Sequence, residues 1–298
     1  MERACVRTDW KDQGVNALNQ EIESRDRFEF GKNWRRFLRV LNDERIEEAE
    51  RSLRQILQVG NLHGKSFLDV GSGSGLFSLA ARRLGARVHS FDYDAQSVSC
   101  TAELRRRYCP DDPNWTVQRA SVLDAQYLKN IGTFDVVYSW GVLHHTGDMW
   151  QALENVQLPV ASGGRLCLAI YNNQQHWSVV WKRIKKLYNR LPLFLKIPYA
   201  ACLITVMQIK TALGSMIMLH PERYIQSWTE YHKMSRGMSR WHDMIDWIGG
   251  YPFEVAKPEE VFDFYLSKGF LLLKLKTCAG RQGCNEFVFQ RTGIEKAS

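Results

Sequence analysis

The chain has 298 residues, of which 45% are hydrophobic and 24% charged, with a formal net charge of +8. That length and apolar content suffice for one large core plus an accessory subdomain, so no further domain need be hidden. The polar start Met1-Glu2-Arg3-Ala4-Cys5 offers no secretory leader, and the seven scattered cysteines contain no C-x-x-C pair, so free thiols are expected over a disulfide framework and the cytoplasm is the expected compartment.

Residues 1–60 read as a helical cover. Trp34, Phe37, Leu38 and Leu41 recur at helical spacing, and Ile46 to Leu57 carries a second amphipathic pattern. Phe28, Phe30 and Trp34 stand just ahead of the core, as a lid or as ordinary packing. From residue 61 the chain alternates strands and helices, which argues for a parallel sheet covered on both faces. Phe67-Leu68-Asp69-Val70 is an apolar strand that breaks into Gly71-Ser72-Gly73-Ser74-Gly75 and resumes as a helix from Leu76 to Leu84. Glycine there permits positive φ and leaves no Cβ in the way, so backbone N–H groups can approach a ligand closely. Ala86 to Phe91 follows as a second strand and ends in Asp92, placed to accept both hydroxyls of a ribose. A nicotinamide-dinucleotide fold uses the same order of elements but wants G-x-G-x-x-G to admit a pyrophosphate; here the glycines fall as G-x-G-x-G after the acidic Asp69.

That form resembles motif I of the class I S-adenosylmethionine-dependent methyltransferases, and the resemblance continues from about residue 60 to 171. It implies that Asp69, Gly71, Ser72, Gly73, Gly75, Asp92 and Tyr93 surround the donor. Ser121, Val122 and Asp124 stand where the family contacts the adenine, and Ser139 and Trp140 end a segment, Phe134 onward, that looks like its fourth strand. Gly141-Val142-Leu143-His144-His145 looks like the loop beside the methyl group, and Gly163-Gly164 introduces a fifth strand. The implied fold is α/β, a seven-stranded Rossmann-like methyltransferase sheet, and the implied cofactor is S-adenosylmethionine. No metal is expected, because the carboxylate-and-amide set with which catechol-type relatives hold Mg²⁺ has no counterpart in this sequence.

Residues 172–257 form a helical, acceptor-binding insertion, and residues 258–298 return to the sheet as a helix (Pro258 to Ser267) and a hairpin (Phe270 to Leu275, Glu286 to Phe289). Cys278 and Cys284 flank the hairpin turn, and in a reducing compartment read as two thiols. Between Glu154 and Glu222 there is no acidic residue, while Arg165, Lys182, Arg183, Lys185, Lys186, Arg190, Lys196 and Lys210 account for the whole net charge of +8. Trp177, Val180, Trp181, Ile184, Leu187, Tyr188 and Leu191 recur at helical spacing, so this helix is expected to set an apolar stripe against a face carrying Lys182, Lys185 and Lys186. Tyr199 to Leu219 is mostly apolar, but Gln208 and Lys210 near its middle and the need to return the hairpin to its sheet argue against a membrane span. Three readings stand for 177–219: a buried helix over the active site with a solvated basic helix beside it, peripheral contact with a membrane, or contact with nucleic acid. The last fits less well, since such a reader intersperses basic and stacking residues on an exposed groove.

Methyl transfer needs a base only when the acceptor is a hydroxyl. His144 and His145 stand where such a base would, and His242 and Asp246, one helical turn apart, are expected to pair so that one imidazole nitrogen is left as acceptor. The loop after the fourth strand and the insertion resemble the small-molecule branch containing the ubiquinone-biosynthesis O-methyltransferases. The expected activity is therefore O-methylation of a small-molecule or lipid-linked acceptor. RNA or protein methylation through the basic insertion is the alternative, and a non-catalytic donor-binding module is made improbable by the intact glycine turn and Asp92.

Overall fold

The computed structural model describes residues 27–293; the part of the N-terminal cover before residue 27 and the last residues of the chain lie outside it. Two helices lead in, α1 (Phe30–Phe37) and α2 (Asp43–Leu57). The core then alternates β1 (Ser66–Val70), α3 (Leu76–Arg83), β2 (Arg87–Asp92), α4 (Ala95–Tyr108), β3 (Trp115–Arg119), α5 (Ala125–Asn130), β4 (Phe134–Trp140), α6 (Met149–Val156) and β5 (Val160–Tyr171). Side-chain caps start these helices sharply: the carboxylates of Asp94, Asp124 and Asp148 accept backbone N–H groups at the first turns of α4, α5 and α6.

Five helices fill the insertion: α7 (His176–Arg190), α8 (Leu193–Ile217), α9 (Glu222–Thr229), α10 (Tyr231–Met234) and α11 (Arg240–Gly249). The chain closes with α12 (Pro258–Ser267), β6 (Phe270–Lys276) and β7 (Cys284–Arg291). All strands join one seven-stranded sheet in the order β3-β2-β1-β4-β5-β7-β6, with β7 antiparallel to both β5 and β6. Alternate residues face opposite layers: Phe67, Val136 and Tyr138 pack with α2, α3 and α4, while Leu68 and Val137 pack with α6 and α12. The Sγ of Cys278 donates to the Cys284 carbonyl at 2.9 Å, and both thiols are free.

The insertion differs from its expected orientation. In α7 the residues turned to the interior are Ser178, Lys185 and Asn189, not a wholly apolar stripe, while Trp177 and Leu187 are exposed. Lys185 is therefore not on a solvated face; it is fully buried, and its Nζ donates to the Trp247 carbonyl. The ammonium lies 4.4 Å from the Trp247 ring and 4.8 Å from that of Phe253. Aromatic faces attract a cation, which is why the site tolerates a lysine, yet burial still pushes its pKa down to about 7. Asn189 completes the polar seam by donating to the carbonyl of Gly249 at 2.7 Å. In α8 only Ala200 and Ile204 are buried, against Met244 and Ile248 of α11, so it is not the buried cover that one reading anticipated.

Candidate active site

A cavity of about 1270 Å³ opens above the carboxyl ends of β1, β2 and β4 and runs on between α1 and the insertion. Its floor is the glycine turn. The N–H groups of Gly71 and Ser72 both donate to the Phe91 carbonyl, at 2.9 and 3.0 Å, which fixes the turn to β2. The Ser72 hydroxyl pairs with that of Thr101 at 2.8 Å, which fixes it to α4. Gly71 and Gly73 have φ of +76° and +55°. A Cβ on Gly71 would come within 2.4 Å of Val142, and one on Gly73 within 2.9 Å of the Trp34 indole nitrogen, so both positions need the absent side chain as well as the conformation.

Two carboxylates brace this floor from below. Asp69 is buried and accepts from the Ser78 hydroxyl at 2.5 Å; burial, reinforced by the Asp92 charge, pushes its pKa up to about 7. Asp92 accepts from the N–H of Gly73 through one oxygen and from the N–H of Asp94 through the other, each at 2.9 Å. Each oxygen keeps a second lone pair for a hydroxyl donor. Burial raises the Asp92 pKa to about 6 against the opposing pull of those amides and of Arg27.

Of the residues expected at the donor, Asp69, Gly71, Ser72, Gly73, Asp92, Tyr93, Ser121, Val122 and Trp140 line the cavity. Three do not. Asp124 caps α5. Gly75 is needed where α3 crosses α4, since a Cβ there would meet Thr101 Cα at 2.8 Å. Ser139 is fully buried and donates to the Val70 carbonyl at 3.2 Å, because alternation along β4 turns it away from the face that Tyr138 and Trp140 share. The expectation that Asp124, Gly75 and Ser139 touch the donor is corrected accordingly.

Helix α1 forms the roof. Gly31 N donates to the Asp94 carboxylate at 2.8 Å, the Phe30 ring lies 4.8 Å from that of His145, and Arg27 sits 4.8 Å over the Tyr93 ring and donates to the His145 carbonyl at 3.2 Å. Phe28, Phe30 and Trp34 all line the cavity, so the N-terminal aromatics are a lid over it as well as packing.

The expected base candidates separate. His145 lines the cavity; its Nδ1 lies 2.6 Å from the Pro252 carbonyl and so carries the proton, which leaves Nε2 as an acceptor. Burial, with the Lys185 and Arg27 charges behind it, lowers its pKa to about 3, so it is neutral and weakly basic. His144 does not line the cavity: it stacks on Tyr171 with centroids 3.8 Å apart and accepts the Tyr171 N–H, a framework role. The His242–Asp246 pair is not formed. His242 Nδ1 is paired with the Ser239 hydroxyl at 2.9 Å, while Asp246 accepts from the Asn33 amide at 2.7 Å; the same amide holds the His242 carbonyl. Helical spacing permitted the pair, but α1, distant in sequence, supplied a better donor. Asp246 itself lines the cavity, and burial, then the Asp243 charge, pushes its pKa well up.

Asn33, Asp94, Lys185 and Glu254 escaped the sequence reading. Glu254 accepts the N–H groups of Gly147 and Met149 and thereby fixes the loop that carries His145. Nothing local marks Asn33. Nor does anything local mark Lys185: the Tyr171, Trp247 and Phe253 rings that cage its ammonium are brought together only by the fold.

Residues 68–166 match the pattern of the family described as a methyltransferase domain. Over 121 residues the chain is 30% identical to the ubiquinone biosynthesis O-methyltransferase of Cronobacter sakazakii, a match that spans 40% of this chain and 48%, about half, of that protein. Among solved structures, magnesium protoporphyrin IX methyltransferase from Synechocystis PCC 6803 with bound SAH superposes over 93% of this chain and all of its own, with a TM-score of 0.51 at 14% identity. An O-methyltransferase family protein from Burkholderia thailandensis gives 0.52 at 11% identity, covering 96% of this chain and 71% of its own. The likeness to both is one of fold.

Proposed function

We propose that this chain, built around a class I S-adenosylmethionine-dependent methyltransferase domain, methylates an oxygen of a small-molecule or lipid-linked acceptor reached at a membrane surface through 177–219. The observation that carries the reading is a single cavity with the glycine turn and Asp92 at one end and Asp246 and His145 at the other. The cradle fits the donor: the glycine turn faces the cavity, and Asp92 keeps lone pairs for two ribose hydroxyls.

S-adenosylmethionine, when bound, supplies a methyl group already activated by its sulfonium. The protein's tasks are then to align the acceptor, exclude water and take a proton, and alignment of this kind is worth about 7–11 kcal/mol. Phe28, Phe30 and Trp34 close the cavity from above. Asp246, oriented by Asn33, holds the acceptor hydroxyl and takes its proton; its raised pKa makes it a stronger base than an ordinary carboxylate. His145 Nε2 offers a second acceptor for the same hydroxyl. A peripheral place in the cytoplasm accords with the free thiols. An RNA or protein acceptor is the weaker reading, since the basic face that favoured it gives up Lys185 to the interior.

The test is incubation of the purified chain with methyl-labelled donor and an extract of its own cells, with calorimetric binding of S-adenosylhomocysteine in parallel. An O-methylated lipid or small phenol supports the reading. Label on nitrogen, carbon, RNA or protein overturns the acceptor, and failure to bind S-adenosylhomocysteine overturns the enzyme.

A further inference from the structure

The outer face of α8 is unpartnered. Val206, Ile209, Leu213 and Met216 recur at three and four residues along it and are each more than half exposed, and Phe194 and Ile197 continue the apolar surface at 74% and 69%. The helix is long enough and apolar enough to cross a bilayer, yet only 11% of its most apolar window is buried. Its opposite side is tied down: Ala200 and Ile204 pack on Met244 and Ile248, and Gln208 accepts from Arg240 at 2.7 Å. Helix α11 is in turn fixed to α1 through Asn33. A helix clamped along its flank to the catalytic body cannot leave it to span a bilayer.

We infer that α8 lies in the plane of one leaflet of an anionic phospholipid membrane, its outer face sunk among the acyl chains and the surrounding cations on the headgroups. Charge chooses this occupant over a second copy of the chain. No acidic residue occurs between Glu154 and Glu222, and Lys182, Arg183 and Arg190 of α7 and Lys210 of α8 itself are exposed, so two copies would oppose like charges. Anionic headgroups complement them, and the stem of Lys210 is long enough to reach the surface from among apolar neighbours. The attachment differs from the electrostatic adsorption suggested by sequence, since the buried Lys185 plays no part and apolar insertion holds the protein once the cations have brought it there. Its link to a lipid-linked acceptor rests on the functional reading above; the surface itself does not.

The experiment is flotation of the full chain with vesicles of phosphatidylglycerol and phosphatidylcholine, at low salt and at about 1 M NaCl, where charges are screened beyond ~3 Å. The wild type is expected to float at low salt and, once bound, to stay largely bound in high salt, because salt does not weaken apolar burial. Ile209→Asp with Leu213→Asp should lower binding about tenfold or more. Lys182→Glu with Lys186→Glu should weaken capture at low salt only. Affinity for S-adenosylhomocysteine should be unchanged in all variants, which reports both an intact fold and, separately, the donor reading. A wild type that stays at the bottom of the gradient overturns the inference. So does a dimer that the Asp variants dissociate, or binding that high salt removes entirely.

Discussion

The two ends of the cavity are built by different means. At the donor end the ligand surface is mostly backbone, held by contacts close in sequence: Gly71 and Ser72 to Phe91, Gly73 and Asp94 to Asp92. At the proposed acceptor end it is side chain, held by contacts far apart in the chain: Asn33 to Asp246 and Pro252 to His145. A backbone cradle specifies one ligand by its local sequence, whereas a side-chain wall is specified only by tertiary structure and can be changed without disturbing the sheet.

The sharpest way to break this division is Asp246→Asn. If Asp246 is the base, turnover should fall about 10²–10⁴-fold with donor affinity unchanged; a drop below tenfold, measured at saturating donor, would mean that transfer runs on alignment alone. The converse change, Asp92→Ala, should weaken S-adenosylhomocysteine binding by about 1–3 kcal/mol through loss of the acceptor for two hydroxyls. Since the ionised carboxylate is what accepts, wild-type affinity should also fall about tenfold per pH unit below about 6, and that slope should vanish in the variant. Calorimetry across pH 4.5 to 8 checks both, and a flat wild-type profile would remove Asp92 from the donor site.

Lys185→Met tests, through stability, the packing behind the Tyr171 ring that lines the cavity. The folded chain holds this proton less tightly than the unfolded one, about 7 against an ordinary 10.5. Between those values the unfolded state binds more protons, so the lysine makes stability rise with pH by up to about 1.4 kcal/mol per unit. Denaturant midpoints from pH 7 to 10 should show that slope in the wild type and lose it in the variant; identical slopes would mean the ammonium is not buried as described.

The same division explains what could be read in the sequence. The glycine turn, Asp92, the alternating strands and the closing hairpin Phe270–Lys276 with Cys284–Arg291 are local patterns, and all appear where their periodicity puts them. Gly75 and Ser139 carry the right motif but do different work, because a motif says neither which helix a glycine must let past nor which way a strand residue faces. His242 and Asp246 have the right spacing but each found a partner closer to its own geometry. In α7 the hydrophobic stripe gave no sign of its polar interior, since what draws Lys185 and Asn189 inward is a set of carbonyls and rings contributed by residues some sixty positions later.

Helix α1 is fastened to both ends at once. Gly31 and Trp34 close on the donor side, and Asn33 between them orients Asp246 on the other. An opening of α1 wide enough to exchange donor would therefore also release Asp246, the base of the proposed reading. The proposed reading then predicts a compulsory sequence in which donor enters first, the acceptor binds a completed site, and the spent donor leaves last. A dead-end analogue of the acceptor would then inhibit uncompetitively with respect to donor, since it would bind only after the roof had closed.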